Sequence, residues 1–384
     1  MKIAFLTPEF PHPKTGASGG IGTSIFNLSK GLVALGHEVS ILVYGQNEDE
    51  VFVENNTTYY KIKNLKLKGF SKLLTQKKIE RLINNLVKNH QLDIVEAPDW
   101  TGITSNIKPK CPIVIRLNGT DTYFCHLDKR PVKFWNKFHE KKALQNADGL
   151  ISVSQYTADV TKELFLLVRD FTIIPNSIDI EKFAIVDKTE VQKNTILYFG
   201  TLIRKKGLLE LPIIFNEIYK NNKNANLILI GRDSSDNITG NDSTWSMMQP
   251  LFDRDALMKV DYKGSVSYKE IREHIAKATV CVFPTFAEAL PVSWIEAMAL
   301  KKAIVASDIG WSPEIIEDSV EGFLVHPKNH NLFAERILEL LNNQKLRNQF
   351  GIEARRKVEQ KFSIEVVAKQ TANFYQKLIK EKGL

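Results

Sequence analysis

Short apolar strand patterns alternate with helical patterns twice along this chain, and this alternation limits the fold more than any other feature. The first series contains "KIAFL", "EVSILVY", "LDIVEA", "PIVIRL" and "GLISVS", and the second contains "TILYFG", "NLILIG", "VDYKG", "VCVFP", "AIVAS" and "GFLVHP". Strands separated by helices predict parallel sheets with helices on both faces. The chain has 384 residues, which exceeds one ordinary core. We therefore expect two doubly wound α/β domains that face each other across a cleft, with ligands at the carboxyl ends of the strands.

The boundary between the two series is predicted near residue 178. The stretch "TIIPNSIDIEKF" and the polar "VDKTEVQKN" that follows it interrupt the periodicity with Pro, Asn and Asp, as a linker does. We expect a first domain at 1–178, a second domain at 179–362, and a C-terminal helix at 363–384 that packs back on the first domain.

Composition excludes several classes of protein. No run approaches the roughly 18 apolar residues of a membrane span, and "KIAFL" at the start is too short for a secretory signal. The three cysteines are far apart, which predicts a reduced cytoplasmic protein with neither a disulfide framework nor a zinc site.

The formal net charge of +8 permits an anionic partner, and the excess is concentrated in residues 61–90. This stretch interleaves many lysines with leucines and has Glu80 as its single acid. Two interpretations remain open. The residues form a solvated helix face over an ordinary core stripe, or they form a basic amphipathic surface that contacts an anionic membrane.

Residues 15–22, "TGASGGIG", have the glycine pattern of a dinucleotide-binding loop. That use requires the glycines directly after the first strand and an acid at the tip of the second strand. Here "PEFPHPK" intervenes and the second strand ends at Tyr44 and Gly45, so an NAD(P) site is not expected. Gly19 and Gly20 instead precede a helix whose first N–H groups attract an anion, which favours a phosphate contact over a flexible loop without a ligand.

The most specific motif is "FPTFAEALPVSWIEAMAL" at 283–300, in which Glu288 and Glu296 flank seven residues. Pro291 suits a first helical turn, so the N–H groups near Val292 are expected to hold a diphosphate. Two carboxylates on either side can accept hydrogen bonds from sugar hydroxyls. "YFGTLIRKKG" at 198–207 adds the cations Arg204 and Lys206 after Gly200, at a strand's carboxyl end.

These residues resemble family 4 of the retaining glycosyltransferases, which have the GT-B fold. The resemblance runs over nearly the whole chain, through "GGIGTSIFNLSKGLVALGHEVSILV", "HEKKALQNADGLISVS", "IIPNSID", "GTLIRKKG" and the paired-glutamate motif. It implies transfer of a sugar from a nucleotide-diphosphate sugar to an acceptor hydroxyl, with retention at the anomeric carbon. No cofactor and no metal is implied. The expected acceptor is a glycan or a lipid-linked precursor of surface polysaccharide, handled in the cytoplasm or at the cytoplasmic face of the membrane, with no nucleic acid as partner.

The resemblance also assigns roles to residues. Lys206 and Arg204 would bind the diphosphate, Glu288 the hydroxyls of the transferred sugar, and Glu296 the ribose. The remaining donor contacts would come from Gly19, Gly20, Gly200, Gly231, Leu290, Pro291 and Val292.

The sequence departs from the family pattern at two positions. Thr201 stands where the family often has Arg, and Asn118 stands where it often has His. Asn118 can hydrogen-bond a sugar hydroxyl but cannot transfer a proton, and His126 is expected to be structural. These departures keep a catalytically silent nucleotide-sugar-binding protein as an alternative, beside a GT-B sugar-nucleotide epimerase. The long polar segment 231–264 is interpreted as a cover for the base pocket or as a surface excursion.

Overall fold

The computed structural model divides into two domains and describes residues 1–16, 18–183 and 191–383. The first domain contains Met1–Ile178 together with the C-terminal segment from Lys361, and the second contains Asp179–Gln360. Residues 186–190 of the stretch interpreted as a linker lie outside the described residues.

The first domain is built on an eight-stranded sheet in the order β3-β4-β2-β1-β5-β6-β7-β8. All neighbouring strands are parallel except β3 and β4. The strands are β1 Lys2–Thr7, β2 Glu38–Gln46, β3 Glu50–Glu54, β4 Thr57–Lys63, β5 Ile94–Pro98, β6 Ile113–Leu117, β7 Gly149–Ser152 and β8 Thr172–Ile173. The helices before the second domain are α1 Gly20–Ala34, α2 Ser71–Lys88, α3 Asp121–Leu127, α4 Phe134–Asn146 and α5 Gln155–Phe165.

Both faces of this sheet bury a core. Ile3 and Phe5 of β1 pack in one apolar cluster with residues of α1, whereas Ala4 and Leu6 pack in another with residues of α2. Successive side chains of a strand point to opposite faces, so a strand buried on both sides is apolar throughout. The predicted parallel sheet with helices on both faces is therefore confirmed for this domain.

The β3–β4 hairpin was not predicted. The basic stretch 61–90 begins inside β4, and its helix starts only at Ser71. Tyr59 and Ile62 are buried, and β4 pairs in parallel with β2. The lysines at the end of β4 therefore belong to a strand, because the buried side chains next to them complete the sheet.

The second domain has a fully parallel six-stranded sheet in the order β11-β10-β9-β12-β13-β14. Its strands are β9 Thr195–Phe199, β10 Asn226–Ile230, β11 Val260–Tyr262, β12 Val280–Phe283, β13 Ile304–Ser307 and β14 Gly322–Val325. Its helices are α6 Leu211–Asn221, α7 Thr244–Met248, α8 Arg254–Leu257, α9 Tyr268–Lys277, α10 Val292–Ala299, α11 Ser312–Ile315, α12 His330–Asn342 and α13 Gln344–Lys357. The six strand patterns of the second series are all present as strands.

The last helix, α14 Ile364–Glu381, packs on α1 in the first domain. A Cβ built at Gly31 of α1 would lie 2.9 Å from the carbonyl oxygen of Ile364, so only glycine allows this approach. Further along α14, the hydroxyl of Tyr375 donates to the buried Glu96 of β5 at 2.6 Å. Within the described residues no helix is both long and apolar enough to cross a bilayer.

Candidate donor site

A short loop after β9 carries the predicted cations and is held against the loop after β12. Arg204–Lys206 form one 3₁₀ turn that ends at Gly207, whose φ is +73°. The carbonyl of Lys205 accepts hydrogen bonds from the N–H groups of Phe286 at 2.8 Å and Ala287 at 3.2 Å. These bonds hold the cationic turn beside the segment that leads to Glu288, at the carboxyl edge of the sheet where ligands of such folds bind.

Lys206 and Glu288 form an ion pair across these two loops. The Nζ of Lys206 lies 3.1 Å from Oε1 of Glu288, and the two side chains are 21% and 17% exposed. A Cβ built at Gly200, at the end of β9, would lie 3.4 Å from the same Nζ. Lys206 therefore extends over the end of the strand, where its partly exposed charge is accessible to an anion.

Glu296, on α10, is buried and hydrogen-bonded to a tyrosine. The hydroxyl of Tyr268, at the start of α9, donates to Oε1 of Glu296 at 2.6 Å. Burial raises the pKa of Glu296 to about 7, although the hydrogen bond from Tyr268 and the charge of Lys206 both oppose the shift. Lys206 thus acts electrostatically on both predicted carboxylates, and the three side chains form one cluster.

The N-terminus of α10 lies between Glu288 and Glu296 in the sequence. Pro291 precedes the first helical residue, Val292, rather than occupying the first turn. Leu290 is 4% exposed, and no side chain caps the helix. An α-helix leaves its first N–H groups without intrahelical partners, so this end suits an anion.

Arg204 is engaged differently from Lys206. Its Nε and Nη2 donate to the two carboxylate oxygens of Asp236, each at 2.8 Å. The Arg204 guanidinium holds the pKa of the Asp236 carboxyl well below its usual range. Arg204 therefore contacts the polar segment 231–264. Its guanidinium is engaged in a bidentate pair with the carboxylate of Asp236.

The segment 231–264 is ordered by its own polar contacts. Gly231, at its start, has φ +146°, and a Cβ there would lie 1.9 Å from the carbonyl oxygen of Gly200. Asp233 accepts from the hydroxyl of Ser243 at 2.6 Å and from the N–H of Trp245 at 3.0 Å. The ring of Trp245 lies 5.1 Å from that of Tyr262. Gly200 and Gly231 thus let the loops after β9 and β10 meet closely.

In the first domain, the predicted glycine loop meets a carboxylate. Gly19 caps α1, and Gly20 is its first residue. Oε1 of Glu9 accepts from the N–H of Gly22 at 3.1 Å, and a Cβ at Gly19 would lie 3.2 Å from that oxygen. Glu9 therefore already occupies part of the anion-attracting end of α1, where a phosphate at Gly20 would meet a like charge.

Asn118 lies in a loop held by a buried acid. Its N–H donates to Asp99 at 3.0 Å, and the N–H of Gly119 donates to the second oxygen of Asp99 at 3.1 Å. Burial raises the pKa of Asp99 to about 7, against the effect of these two hydrogen bonds. The Asn118 amide donates to the carbonyl of Arg116 at 3.3 Å. His126 is exposed on α3.

The structure thus gathers Lys206, Glu288 and Glu296 in the second domain, while Gly19, Gly20 and Asn118 lie in the first. Sequence reasoning missed four polar residues at these places: Glu9, Asp99, Asp236 and Tyr268. Asp99 had a signal, since "APDW" places an acid directly after a buried strand. Within residues 1–16, 18–183 and 191–383, no group of three or more His, Cys, Asp or Glu side chains is placed to hold a metal ion.

The close approach at Gly207 gives a first testable prediction. A Cβ there would lie 1.7 Å from the carbonyl oxygen of Pro284, so Gly207→Ala should displace the cationic turn. Gly240→Ala is the matched control, because Gly240 has nearly the same φ, +76°, and nothing within 4 Å of its Cβ position. We expect the control to lose about 1 kcal/mol of unfolding free energy from backbone strain. Gly207→Ala should lose roughly 1–3 kcal/mol more from the clash.

Urea unfolding followed by tryptophan fluorescence measures both variants. Equal losses in the two would show that the Gly207–Pro284 contact does not hold the loop.

Two parallel α/β domains with a cationic turn and paired glutamates at strand ends define a protein of the GT-B type. Residues 179–357 match the family described as glycosyl transferases group 1, and residues 18–182 match glycosyltransferase family 4. The chain belongs to these glycosyltransferases, which confirms the predicted family.

Two curated glycosyltransferases are similar to this chain. A glycosyltransferase of Methanocaldococcus jannaschii is 26% identical over 384 residues, covering 98% of this chain and 99% of the relative. The capsular polysaccharide biosynthesis glycosyltransferase CapM of Staphylococcus aureus is 26% identical over 259 residues, covering 63% of this chain and 65% of CapM.

Solved structures show the same fold. Sucrose-phosphate synthase from Thermosynechococcus elongatus superposes with a TM-score of 0.81 at 18% identity, covering 99% of this chain and 100% of that structure. HepE of Anabaena in complex with UDP-glucose has a TM-score of 0.75 at 16% identity, covering 98% of this chain and 99% of HepE.

Proposed function

We propose that this glycosyltransferase moves a sugar from a nucleotide-diphosphate sugar to an acceptor hydroxyl with retention at the anomeric carbon. The observation that carries the proposal is the cluster of Lys206, Glu288 and Glu296 beside the N-terminus of α10. It combines a cation and free helix amides for a diphosphate with two carboxylates for hydroxyl groups. The UDP-glucose complex of HepE makes a UDP-sugar the first donor to test.

In the proposed reaction, the bond between the anomeric carbon and the diphosphate oxygen breaks, and its electron pair leaves with the diphosphate. The acceptor oxygen bonds to the anomeric carbon from the same face, and its proton passes to the departing diphosphate oxygen. Lys206 and the N–H groups at Val292 stabilise the charge that develops there. Preorganised donors of this kind contribute roughly 3–4 kcal/mol each, so no bound metal is required in this proposal.

The carboxylates orient the donor. Glu288, paired with Lys206, accepts hydrogen bonds from hydroxyls of the transferred sugar, and Glu296 accepts from the ribose. Arg204 contributes to the diphosphate only if a donor draws it from Asp236. Asn118, a residue of the first domain, is proposed to hydrogen-bond a sugar hydroxyl.

The proposed acceptor is a glycan or a lipid-linked precursor of surface polysaccharide. CapM, a relative, is named for capsular polysaccharide biosynthesis. Residues 65–70 of the basic stretch are exposed, which supports peripheral contact of 61–90 with the cytoplasmic face of an anionic membrane.

A thermal-shift screen against UDP-, GDP- and ADP-sugars, with NAD(P)H as comparison and without added metal, tests the donor assignment. A donor at 100 times its dissociation constant stabilises the folded state by about 2.7 kcal/mol. Nucleotide release with acceptor, in the presence of EDTA, then tests transfer. If a nucleotide-sugar stabilises the protein but no acceptor causes release of the nucleotide, the alternative of a catalytically silent nucleotide-sugar-binding protein is favoured. A thermal shift with NAD(P)H alone would contradict the proposal.

The raised pKa of Glu296 predicts a pH dependence of donor binding. Its ribose contact requires the ionised carboxylate, so donor affinity should rise as pH increases through about 7. The Tyr268 hydroxyl favours the ionised form, so Tyr268→Phe should move the inflection to higher pH. Glu296→Gln should remove it. The test is to measure the dissociation constant of the donor between about pH 5.5 and 8.5. If Glu296→Gln shows the same inflection in donor affinity, a group other than Glu296 causes it.

Ionisation of Glu296 also affects the stability of the fold, which should fall as pH rises, whereas donor affinity should increase. Because the folded pKa of Glu296 lies above its unfolded value of 4.5, ionisation is penalised in the folded state. The contribution of Glu296 to stability is therefore fully present below pH 4.5 and is lost as pH rises through about 7.

A further inference from the structure

We propose that the first domain docks on an anionic lipid bilayer through a surface made of two separate segments. These segments are residues 65–70, "LKLKGF", and residues 133–138, "KFWNKF", and together they are called the basic apolar face. The second segment lies outside the basic stretch 61–90 and adds three exposed aromatic side chains. The inference rests on the membrane contact proposed above for residues 61–90 and extends it to a second segment; its test is independent of the transfer reaction, since lipid binding requires neither donor nor acceptor.

The aromatic part of the basic apolar face is a contiguous cluster. Phe134, Trp135 and Phe138, at the start of α4, are 72%, 66% and 44% exposed. Their ring centroids lie 5.4 Å apart for Phe134 and Trp135, and 5.9 Å apart for Trp135 and Phe138. Isolated exposed apolar residues are ordinary, but three touching aromatic rings form a patch that indicates a binding surface.

The other segment exposes its apolar side chains in the same way. Leu65, Leu67 and Phe70 are 40%, 55% and 59% exposed in the connection before α2. The segment continues into Leu73, which is 41% exposed on the first turn of α2.

One turn joins the two segments. Lys72, next to the first segment, donates from Nζ to the carbonyl of Thr101 at 2.7 Å. On the other side of this turn, a Cβ at Gly102 would lie 2.3 Å from the backbone of His139. The ring of His139 lies 5.4 Å from that of Phe138. Both segments therefore flank the same turn, Trp100–Gly102, within the first domain.

The charged side chains within the two segments of the basic apolar face are all lysines. Asp121 lies beside them, where it accepts a hydrogen bond from the amide of Asn136 at 2.9 Å and pairs with Arg130. Lys66, Lys68, Lys133 and Lys137 are exposed, and no acid occurs in residues 64–79 or 129–139. The nearest acid after the second segment, Glu140, is fully buried and accepts hydrogen bonds from the hydroxyl and N–H of Thr122.

This composition favours a bilayer over other partners. Trp and Phe are suited to the interface between headgroups and acyl chains, and lysines beside them bind anionic headgroups. A second copy of this chain would bring like charges together, which opposes self-association. Single-stranded nucleic acid stacks on aromatic rings, whereas the exposed leucines of the first segment offer no stacking face.

The test is sedimentation of the full chain with vesicles of phosphatidylcholine alone or with phosphatidylglycerol, at low and high salt. We expect binding to the anionic vesicles only, weakened by salt through screening. Replacing the four lysines, in K66Q/K68Q/K133Q/K137Q, should lower the partition coefficient by more than about a hundredfold, at roughly fivefold per lysine. Replacing the aromatic cluster, in F134S/W135S/F138S, should lower it by at least about tenfold.

Matched variants control for charge and apolar exposure in general. Lys223, Lys269, Lys345 and Lys369 are exposed elsewhere, and changing all four to Gln alters the net charge equally. Val53 and Val168 lie outside the basic apolar face and are 70% and 99% exposed. Changing both to Ser tests whether the loss of exposed apolar side chains elsewhere weakens lipid binding. We expect both control variants to bind like the unaltered protein, and unfolding curves verify that every variant is folded.

Tryptophan quenching by brominated lipid locates the contact. Quenching that disappears in Trp135→Phe places α4 in the bilayer, since Trp294 and Trp311 are fully buried and the half-buried Trp100 and Trp245 are unchanged in this variant. The proposal is overturned if anionic vesicles do not bind, or if the face variants bind as the controls do. It is also overturned if the aromatic variant abolishes self-association or RNA binding while lipid binding is absent.

Discussion

Replacing Lys206 with alanine is expected to lower kcat for sugar transfer by about a hundredfold to a thousandfold, with a smaller change in donor affinity. The reason is that the charge on the departing diphosphate grows as the glycosidic bond breaks, so a cation that faces it acts most strongly in the transition state. Lys206 is the cation that pairs with Glu288 and lies over the end of β9.

Lys205→Ala is the matched control for this experiment. Lys205 belongs to the same 3₁₀ turn, but it is the backbone carbonyl of Lys205 that holds the loop after β12. That carbonyl is unchanged by alanine, so the control should keep the loop geometry and most of the activity. Steady-state kinetics with a UDP-sugar, read as kcat and KM separately, distinguish loss of transition-state stabilisation from loss of binding.

Lys206→Ala also removes the Lys206 charge from beside Glu288, and Lys206→Gln tests this effect by removing the charge while keeping a polar side chain. If Glu288 alone caused the loss, the double variant Lys206→Ala/Glu288→Ala would recover part of the activity. Equal kcat in Lys206→Ala and Lys205→Ala would remove Lys206 from the proposed mechanism and, with it, the main support for the transferase site.

The fold could be predicted because its signal is local. Apart from the edge strand β11, each strand of the second series is a short, mostly apolar run that ends on a glycine, a proline or a small residue, as at Gly200 and Gly231. Strands buried on both faces need no alternation of polar and apolar residues, so the runs are visible without knowledge of their neighbours. The β3–β4 hairpin lacks this signal, since Val51 and Val53 are 62% and 70% exposed at the edge of the sheet.

The candidate site was predictable only in part, because its pairings join distant residues. Glu288 and Lys206 were selected as separate motifs, but the pairing of Arg204 with Asp236 and of Tyr268 with Glu296 follows from the packing of loops. No spacing rule relates Arg204 to an aspartate 32 residues away in a polar segment. The cations and the paired glutamates of the site could therefore be recognised from the sequence, whereas Asp236, the carboxylate that holds Arg204, could not.

Replacing Glu96 with alanine is expected to destabilise the first domain by about 3–5 kcal/mol, the range for removing one partner of a buried ion pair. Arg116 donates from Nε and Nη2 to the two oxygens of Glu96 at 2.8 and 3.1 Å, and both side chains are almost fully buried. Tyr375 of α14 donates to the same carboxylate. Without Glu96, the guanidinium would stay buried with no counter-charge, and α14 would lose the hydrogen bond of Tyr375 to the sheet, keeping only the longer contact of Thr371 with Arg116 at 3.3 Å.

A surface pair and a conservative change calibrate this prediction. Arg336 and Glu339 form an exposed pair at 2.8 Å, so Glu339→Ala should cost less than about 1 kcal/mol. Tyr375→Phe removes one hydrogen bond to a charged group while keeping the ring, and should cost about 1.5–3 kcal/mol.

The double variant Arg116→Met/Glu96→Leu tests the physical cause. If an unpaired buried charge is what destabilises Glu96→Ala, replacing both charges with apolar groups should recover most of the lost stability, since apolar replacement of buried ion pairs is often neutral or stabilising. Urea unfolding at neutral pH measures the stability, and hydrogen exchange assigns the loss to α14 and the strands β5 and β6. A Glu96→Ala variant no less stable than Glu339→Ala would show that the triad of Glu96, Arg116 and Tyr375 does not hold the C-terminal helix on the first domain.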